Sequence, residues 1–188
     1  MVLLLWLPAA NAWRPVDGVA SAPYADRFER AARRYLPAAD AAWGYAVLVG
    51  QCYQESLLDP AAVSAVGAQG LCQFMPATWA GVAARMDVPR HATAFMPRYA
   101  IPAAASYMHR LRAGWSSPRP EWDRHTLALA SYNAGFGSLL AAQRASGGAV
   151  MACPILSALP QITGQHARET RTYVRRVWRW WRQMRVAR

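Results

Sequence analysis

Apolar and polar positions alternate along this chain with a helical period almost throughout. Tyr24, Phe28, Ala31, Ala32 and Tyr35 recur at the spacing of one helix face. Ser21 is available as a cap, Pro23 falls in the first turn, and Pro37 is the stop. A second helix is expected over 40–56. It is nearly apolar around Val47 and Leu48 until Gln51, the profile of a buried helix, and it ends in Gln54-Glu55-Ser56 before Pro60. The stretch 61–73 is rich in glycine and alanine, with Gly67 and Gly70 favouring turns. Further helices are expected over 76–85, opened by Pro76, and over 101–111, with Pro102 tolerated in the first turn. Two more, over 125–132 and 138–144, flank Asn133-Ala134-Gly135, and a last one covers 167–185. The segments 86–97, 119–123 and 147–165 read as loop or irregular chain. No convincing period-two alternation exists, so the expected fold class is all-α, or mainly α.

Composition narrows this picture. A chain of 188 residues, 54% of them hydrophobic, can bury the core of one domain and is not intrinsically disordered. The start is divided from the rest by pattern. Residues 2–8 are apolar and Ala10-Asn11-Ala12 has the small-x-small form of a signal-peptidase site, so 1–12 is expected to be an export signal. No basic residue precedes that run, and it is too short to span a bilayer. Residues 13–40 then form an N-terminal linker and helix, 41–177 the main domain, and 178–188 a basic extension of the last helix. All 21 basic residues are arginine, and the net charge of +11 implies an acidic partner: nucleic acid, an anionic membrane surface, or a wall carrying carboxylates and phosphates. No nucleic-acid motif is present and the arginines are dispersed except at the C terminus, so no specific nucleic-acid binding is expected. Three cysteines and four scattered histidines show no zinc-ligand spacing. Neither metal nor cofactor is expected.

The chemistry is carried by four pieces in order. They are Gln54-Glu55-Ser56; Gly67-Ala68-Gln69-Gly70-Leu71-Cys72-Gln73-Phe74-Met75-Pro76-Ala77-Thr78-Trp79; Ser131-Tyr132-Asn133-Ala134-Gly135; and Glu169-Thr170 followed by Tyr173-Val174. Together they resemble the catalytic domain of the soluble lytic transglycosylases, over roughly 43–177. The resemblance implies a lysozyme-like single domain with a substrate cleft. It also implies non-hydrolytic cleavage of the β-1,4 bond between N-acetylmuramic acid and N-acetylglucosamine in peptidoglycan, with a monomer as the working form. One carboxyl group, Glu55, would first protonate the leaving oxygen and then take the C6 hydroxyl proton, leaving a 1,6-anhydro ring. An acid of that kind needs a raised pKa, which burial against an apolar helix supplies.

The same resemblance implies that Ser64 and Gln73 hydrogen-bond sugar or the catalytic carboxyl, that Met75 packs against a sugar face, and that Tyr132 and Asn133 line the cleft. Glu169 would lie on its far side, where Arg168 and Arg171 also allow a structural ion pair. A water-using glycosidase needs a second carboxylate. Asp59 reads as a turn former before Pro60, while Asp87, Glu121 and Asp123 fall in expected loops, which keeps a goose-type muramidase as the alternative. A non-catalytic cationic envelope binder is a further alternative, which the retained Glu55, Gln73 and Tyr132 argue against.

The resemblance sets Cys52 and Cys72 on segments flanking one cleft. In an oxidising compartment they allow a disulfide; two buried thiols are an equal expectation, and Cys153 is left over either way. On the last helix Tyr173, Val177, Trp180, Trp181 and Met184 share one side and Arg171, Arg175, Arg179 and Arg182 the other. The stretch 178–188 therefore has the composition of a segment that docks on an anionic membrane or envelope surface. The expected location is the periplasm or cell envelope, in a bacterial setting or that of a phage lysis protein.

Overall fold

The computed structural model describes residues 13–37 and 41–186, without the side chains of 41, 42 and 186. The expected export signal, 1–12, lies outside the described residues. Two short 3-10 turns, Pro15–Asp17 and Val19–Ser21, precede the helices α1 (Ala25–Tyr35), α2 (Ala41–Ser56), α3 (Pro76–Arg85), α4 (Pro97–Gly114), α5 (Glu121–Ala134), α6 (Phe136–Ala145), α7 (Ala152–Ala158), α8 (Pro160–Thr163) and α9 (His166–Val186). Among the described residues the only β pairing is a pair of isolated bridges, Val63 with Gln69 and Gln69 with Phe74. The all-α expectation stands.

The described residues form two compact units, one of 13–106 with 177–186 and one of 107–176. It passes from one to the other within α4 and again within α9, so the expected junction at 177/178 falls inside a continuous helix.

In the first unit α1 buries Phe28, Ala31 and Ala32 and packs on α2. Its N-cap is Tyr24 in the left-handed region rather than Ser21, whose hydroxyl instead donates to the carbonyls of Asp17 and Gly18. The stretch expected as a linker is pinned down. Trp13 donates to the Gly18 carbonyl and sets its ring 5.4 Å from that of Tyr53, and the Tyr45 hydroxyl donates to the Val19 carbonyl. Val47, Val49 and Cys52 of α2 have no exposed surface and Leu48 only 2%. This helix is apolar all round because it is covered all round. Gln51, expected to begin its polar end, is also fully buried. The second half of α9 lies along α2 at Gly50, where a Cβ would sit 3.2 Å from Trp180 Cβ and 3.3 Å from Met184 Cε.

In the second unit α6 packs against α5, α7 and α8. Leu127, Leu129, Leu139, Ile155 and Leu159 are fully buried. Three expectations change from α4 onward. The helix expected over 101–111 is longer, Pro97–Gly114, with Pro97 supplying its first turn and Pro102 in its interior, where it withholds a donor from the Arg98 carbonyl. Residues 121–123 are the first turn of α5, where Glu121 and Asp123 suit the positive end of the helix dipole. The irregular stretch 147–165 contains α7 and α8. Pro154 and Pro160 sit in their first turns, where a missing N–H costs nothing.

Candidate active site

The catalytic-site candidates divide between the units: Glu55, Ser64, Gln73 and Met75 in the first, Tyr132, Asn133 and Glu169 in the second.

Glu55 is the penultimate residue of α2 and is half-buried. The turn that carries it is fixed on several sides. Ser56 donates its hydroxyl to the Leu71 carbonyl at 2.8 Å. Gln54 accepts from the Trp180 indole at 3.0 Å, and the Tyr53 ring meets that of Trp180 edge-on at 5.4 Å. Beyond the helix, Leu57 and Leu58 both take positive φ (59° and 65°), turning the chain sharply.

The segment after this turn is held by backbone pairing. Ser64 opens a tight hairpin: its N–H donates to the Ala68 carbonyl, its hydroxyl oxygen accepts the Ala68 N–H, and its carbonyl accepts the Gly67 N–H. Gly70 requires glycine twice over. Its φ is +70°, and a Cβ there would lie 2.0 Å from the Ala94 carbonyl oxygen. Gln73 is held in the left-handed region (φ 49°) by its own side chain, whose Nε2 donates to the carbonyls of Ala62 (3.2 Å) and Gly70 (2.9 Å). Both amide protons are thereby spent, so Gln73 can offer a ligand only its Oε1 acceptor. Met75 caps α3 and leaves 43% of its surface exposed. Cys52 and Cys72 form a disulfide with their Cα atoms 4.5 Å apart, and Cys153 is free and exposed.

In the second unit Tyr132 is half-buried on α5 with its ring 5.4 Å from that of Tyr107. The preceding Ser131 is buried, accepts the Trp115 indole N–H and donates to the Leu127 carbonyl. Gly135, at φ 86°, ends α5 directly after the Tyr-Asn pair. Asn133 and Glu169 are brought together. They share an open pocket of about 510 Å³ with Thr170, His166, Thr163 and Ile162. Thr170 donates to Asn133 Oδ1 at 2.8 Å, a bond that leaves the Asn133 amide protons uncommitted. Glu169 pairs with His166 at 4.0 Å and not with the arginines beside it; Arg171 instead donates to the Leu156 and Ser157 carbonyls. Thr170 follows Glu169 directly in the motif, so its role was within reach of the sequence. The Trp180–Gln54 bond spans 126 positions and has no local signal.

Three of the four carboxylates that left hydrolysis open have structural partners. Asp59 accepts the Ala61 N–H in a local turn, Asp123 accepts the Ala152 N–H that opens α7, and Glu121 pairs with Arg112 and Arg124. Asp87 sits in a turn after α3 at φ 51°. Among the described residues no group of three or more His, Cys, Asp and Glu is placed to hold a metal.

Comparison with known proteins gives this arrangement its family. The transglycosylase SLT domain profile matches residues 43–150. The chain belongs to the transglycosylase SLT domain family. Over 118 residues its SLT domain is 34% identical to the membrane-bound lytic murein transglycosylase F of Alcanivorax borkumensis, covering 62% of this chain and 22% of that protein. A Serratia proteamaculans protein of the same name is 35% identical over 100 residues, 52% of this chain and 19% of its own length. The crystal structure of the 70 kDa soluble lytic transglycosylase of Escherichia coli superposes with a TM-score of 0.67 at 25% identity, over 87% of this chain and 24% of that one. A structure of the 70 kDa soluble lytic transglycosylase in complex with bulgecin A gives 0.68. The chain thus spans about a quarter or less of the length of these relatives.

Proposed function

We propose that this SLT domain is a peptidoglycan lytic transglycosylase that cuts the bond between N-acetylmuramic acid and N-acetylglucosamine without water. The observation that carries the reading is Glu55 at the covered end of α2, inside the family match and with the other candidate carboxylates largely engaged elsewhere. Protonated Glu55 gives its proton to the departing glycosidic oxygen. Its carboxylate then receives the proton of the muramic C6 hydroxyl as that oxygen closes on the anomeric carbon. Gln73 Oε1 accepts a hydrogen bond from sugar hydroxyl or from the protonated acid. Ser64 has its hydroxyl proton to donate, and Met75 presents an apolar face to the sugar. Tyr132 and the Asn133 amide bind substrate groups on the second unit, with Glu169 beside them. Mass spectrometry of digested peptidoglycan tests this. Anhydromuramic ends, lost in Glu55→Gln, are expected; hydrated reducing ends would replace the transglycosylase with a muramidase.

The enzyme acts in the envelope, where its substrate lies, after export directed by 1–12. The arginines of α9 give it a second hold there. Trp178 is 6% exposed and Trp180 and Trp181 are partly covered, so the aromatic side of the helix is used in packing. Arg168, Arg175, Arg179 and Arg182 remain exposed along one face. The contact with an anionic membrane surface is then electrostatic, without insertion. Binding to phosphatidylglycerol vesicles is expected to fall with salt and in Arg179→Gln/Arg182→Gln; equal binding by the variant would refute it.

A further inference from the structure

We infer that the Cys52–Cys72 disulfide is a positioning element of the active site, so that full activity belongs to the oxidised enzyme. The inference rests on the reading of Glu55 as the acid. Cys52 precedes Glu55 by three positions on α2, so the two share a helix face with their Cβ atoms about 5–6 Å apart. Cys72 immediately precedes Gln73. With the bridged Cα atoms 4.5 Å apart and consecutive Cα atoms about 3.8 Å apart, the Cα of Gln73 is held within about 8 Å of that of Cys52. The covalent bridge therefore ties the acid-bearing turn to the residue expected to hydrogen-bond it or its sugar.

The segment it anchors is irregular chain, seated beside the bridge by the buried side chains of Leu71 and Phe74. Between Ser56 and Pro76 there is no regular element, only two isolated bridges. Val63 and Val66 point outward, 57% and 69% exposed, and contribute nothing to a core. Gln73 itself stands in a backbone region that costs a non-glycine residue free energy, and the surroundings must hold it there. The Ser56–Leu71 hydrogen bond is a second tie from the α2 end to this loop. Without the bridge, Gln73 keeps its bonds to Ala62 and Gly70, which lie in its own loop, but the loop as a whole loses its covalent register on α2.

Both sulfurs are fully buried, so the bridge forms as the chain folds and resists reductant afterwards. The two thiols exchange with a small-molecule or protein disulfide. Cys52-SH and Cys72-SH give up two protons and two electrons, the donor disulfide takes them to become two thiols, and the S–S bond closes. A chain folded in a reducing compartment would hold its loop off register and cut glycan poorly. The same chain folded after export would be competent.

The test uses the full chain in a Cys153→Ser background, which removes the exposed thiol. The protein is refolded in oxidised and in reduced glutathione, beside Cys52→Ala/Cys72→Ala, and soluble glycan-strand turnover is followed. The oxidised protein is expected to exceed both the reduced protein and the double variant in kcat by about ten- to a hundredfold, with KM changed far less. Far-UV circular dichroism below the melting point checks that all three are folded. The double variant should show no dependence on the glutathione couple. Equal kcat for folded oxidised and cysteine-free protein overturns the inference while leaving the transglycosylase reading intact. Absence of turnover in the oxidised protein overturns the reading on which it rests.

Discussion

Replacing Gln51 with methionine is expected to stabilise the protein. Gln51 lies on α2 one turn before Glu55, has no exposed surface, and neither its Oε1 nor its Nε2 has a hydrogen-bond partner in the described structure. A buried donor or acceptor left unsatisfied costs about 1–3 kcal/mol, because water has been stripped from it and nothing has replaced it. Methionine has nearly the same length and volume, so the surrounding packing is retained while both stranded atoms disappear. Net stability should rise by about 1–3 kcal/mol, which at this size corresponds to about 2–4 °C in Tm for each kcal/mol. Gln51→Ala should gain much less, since the cavity it leaves offsets the relief. Urea unfolding followed by tryptophan fluorescence on the oxidised protein measures the difference; the midpoint should move and the m-value should not. A methionine variant less stable than wild type at unchanged m would refute the reasoning, and would mean that internal water satisfies the amide.

Three further outcomes follow from the same structure. Burial, and after it the Arg112 guanidinium 2.8 Å from Nδ1, hold His125 well below the ordinary imidazole value of 6.5. The native state then binds fewer protons than the unfolded chain below about pH 6.5, so stability is full above that pH and falls as pH drops, by up to about 1.4 kcal/mol per pH unit. His125→Gln should flatten this slope in urea titrations between about pH 7.5 and pH 5; an unchanged slope would assign it to other groups. Removing the Cys52–Cys72 bridge, which spans 20 positions, should cost about 3 kcal/mol by the chain-entropy relation, read as a lower urea midpoint of Cys52→Ala/Cys72→Ala. Leu57 takes φ 59° while 45% exposed, so Leu57→Asn, which tolerates the left-handed region, should raise stability by about 0.5–1 kcal/mol in the same assay; a loss would show that the leucine side chain is needed where it stands.

The helices legible in the sequence were those whose ends carry signals of their own. Pro76 opens α3 at the predicted residue because a proline in the first turn needs no donor. Pro154 and Pro160 serve α7 and α8 by the same rule, but those helices are too short for a helical period to show within 147–165. Glu121 and Asp123 have the polarity of a loop, but two acidic residues also suit the first turn of a helix, which is where α5 places them. Gln51 shows a different limit. Its polarity suggested the end of burial, but a helix covered on all sides buries whatever stands in it. The candidate site residues stand in short motifs that are visible in the sequence. The supports were not, because the Trp180–Gln54 bond and the Cys52–Cys72 bridge are long-range pairings that periodicity cannot encode.

The return of α9 to the first unit also orders events during synthesis. Residues 177–186 leave the ribosome only after the whole of 107–176, yet Val177, Trp180 and Met184 are what cover Gly50 on α2. A nascent chain carrying Glu55 therefore lacks the packing of Val177, Trp180 and Met184 on α2 until 177–184 have been made. The end of α2 is thus completed by a partner residue made 126 positions later, a long-range pairing that can form only once both segments exist.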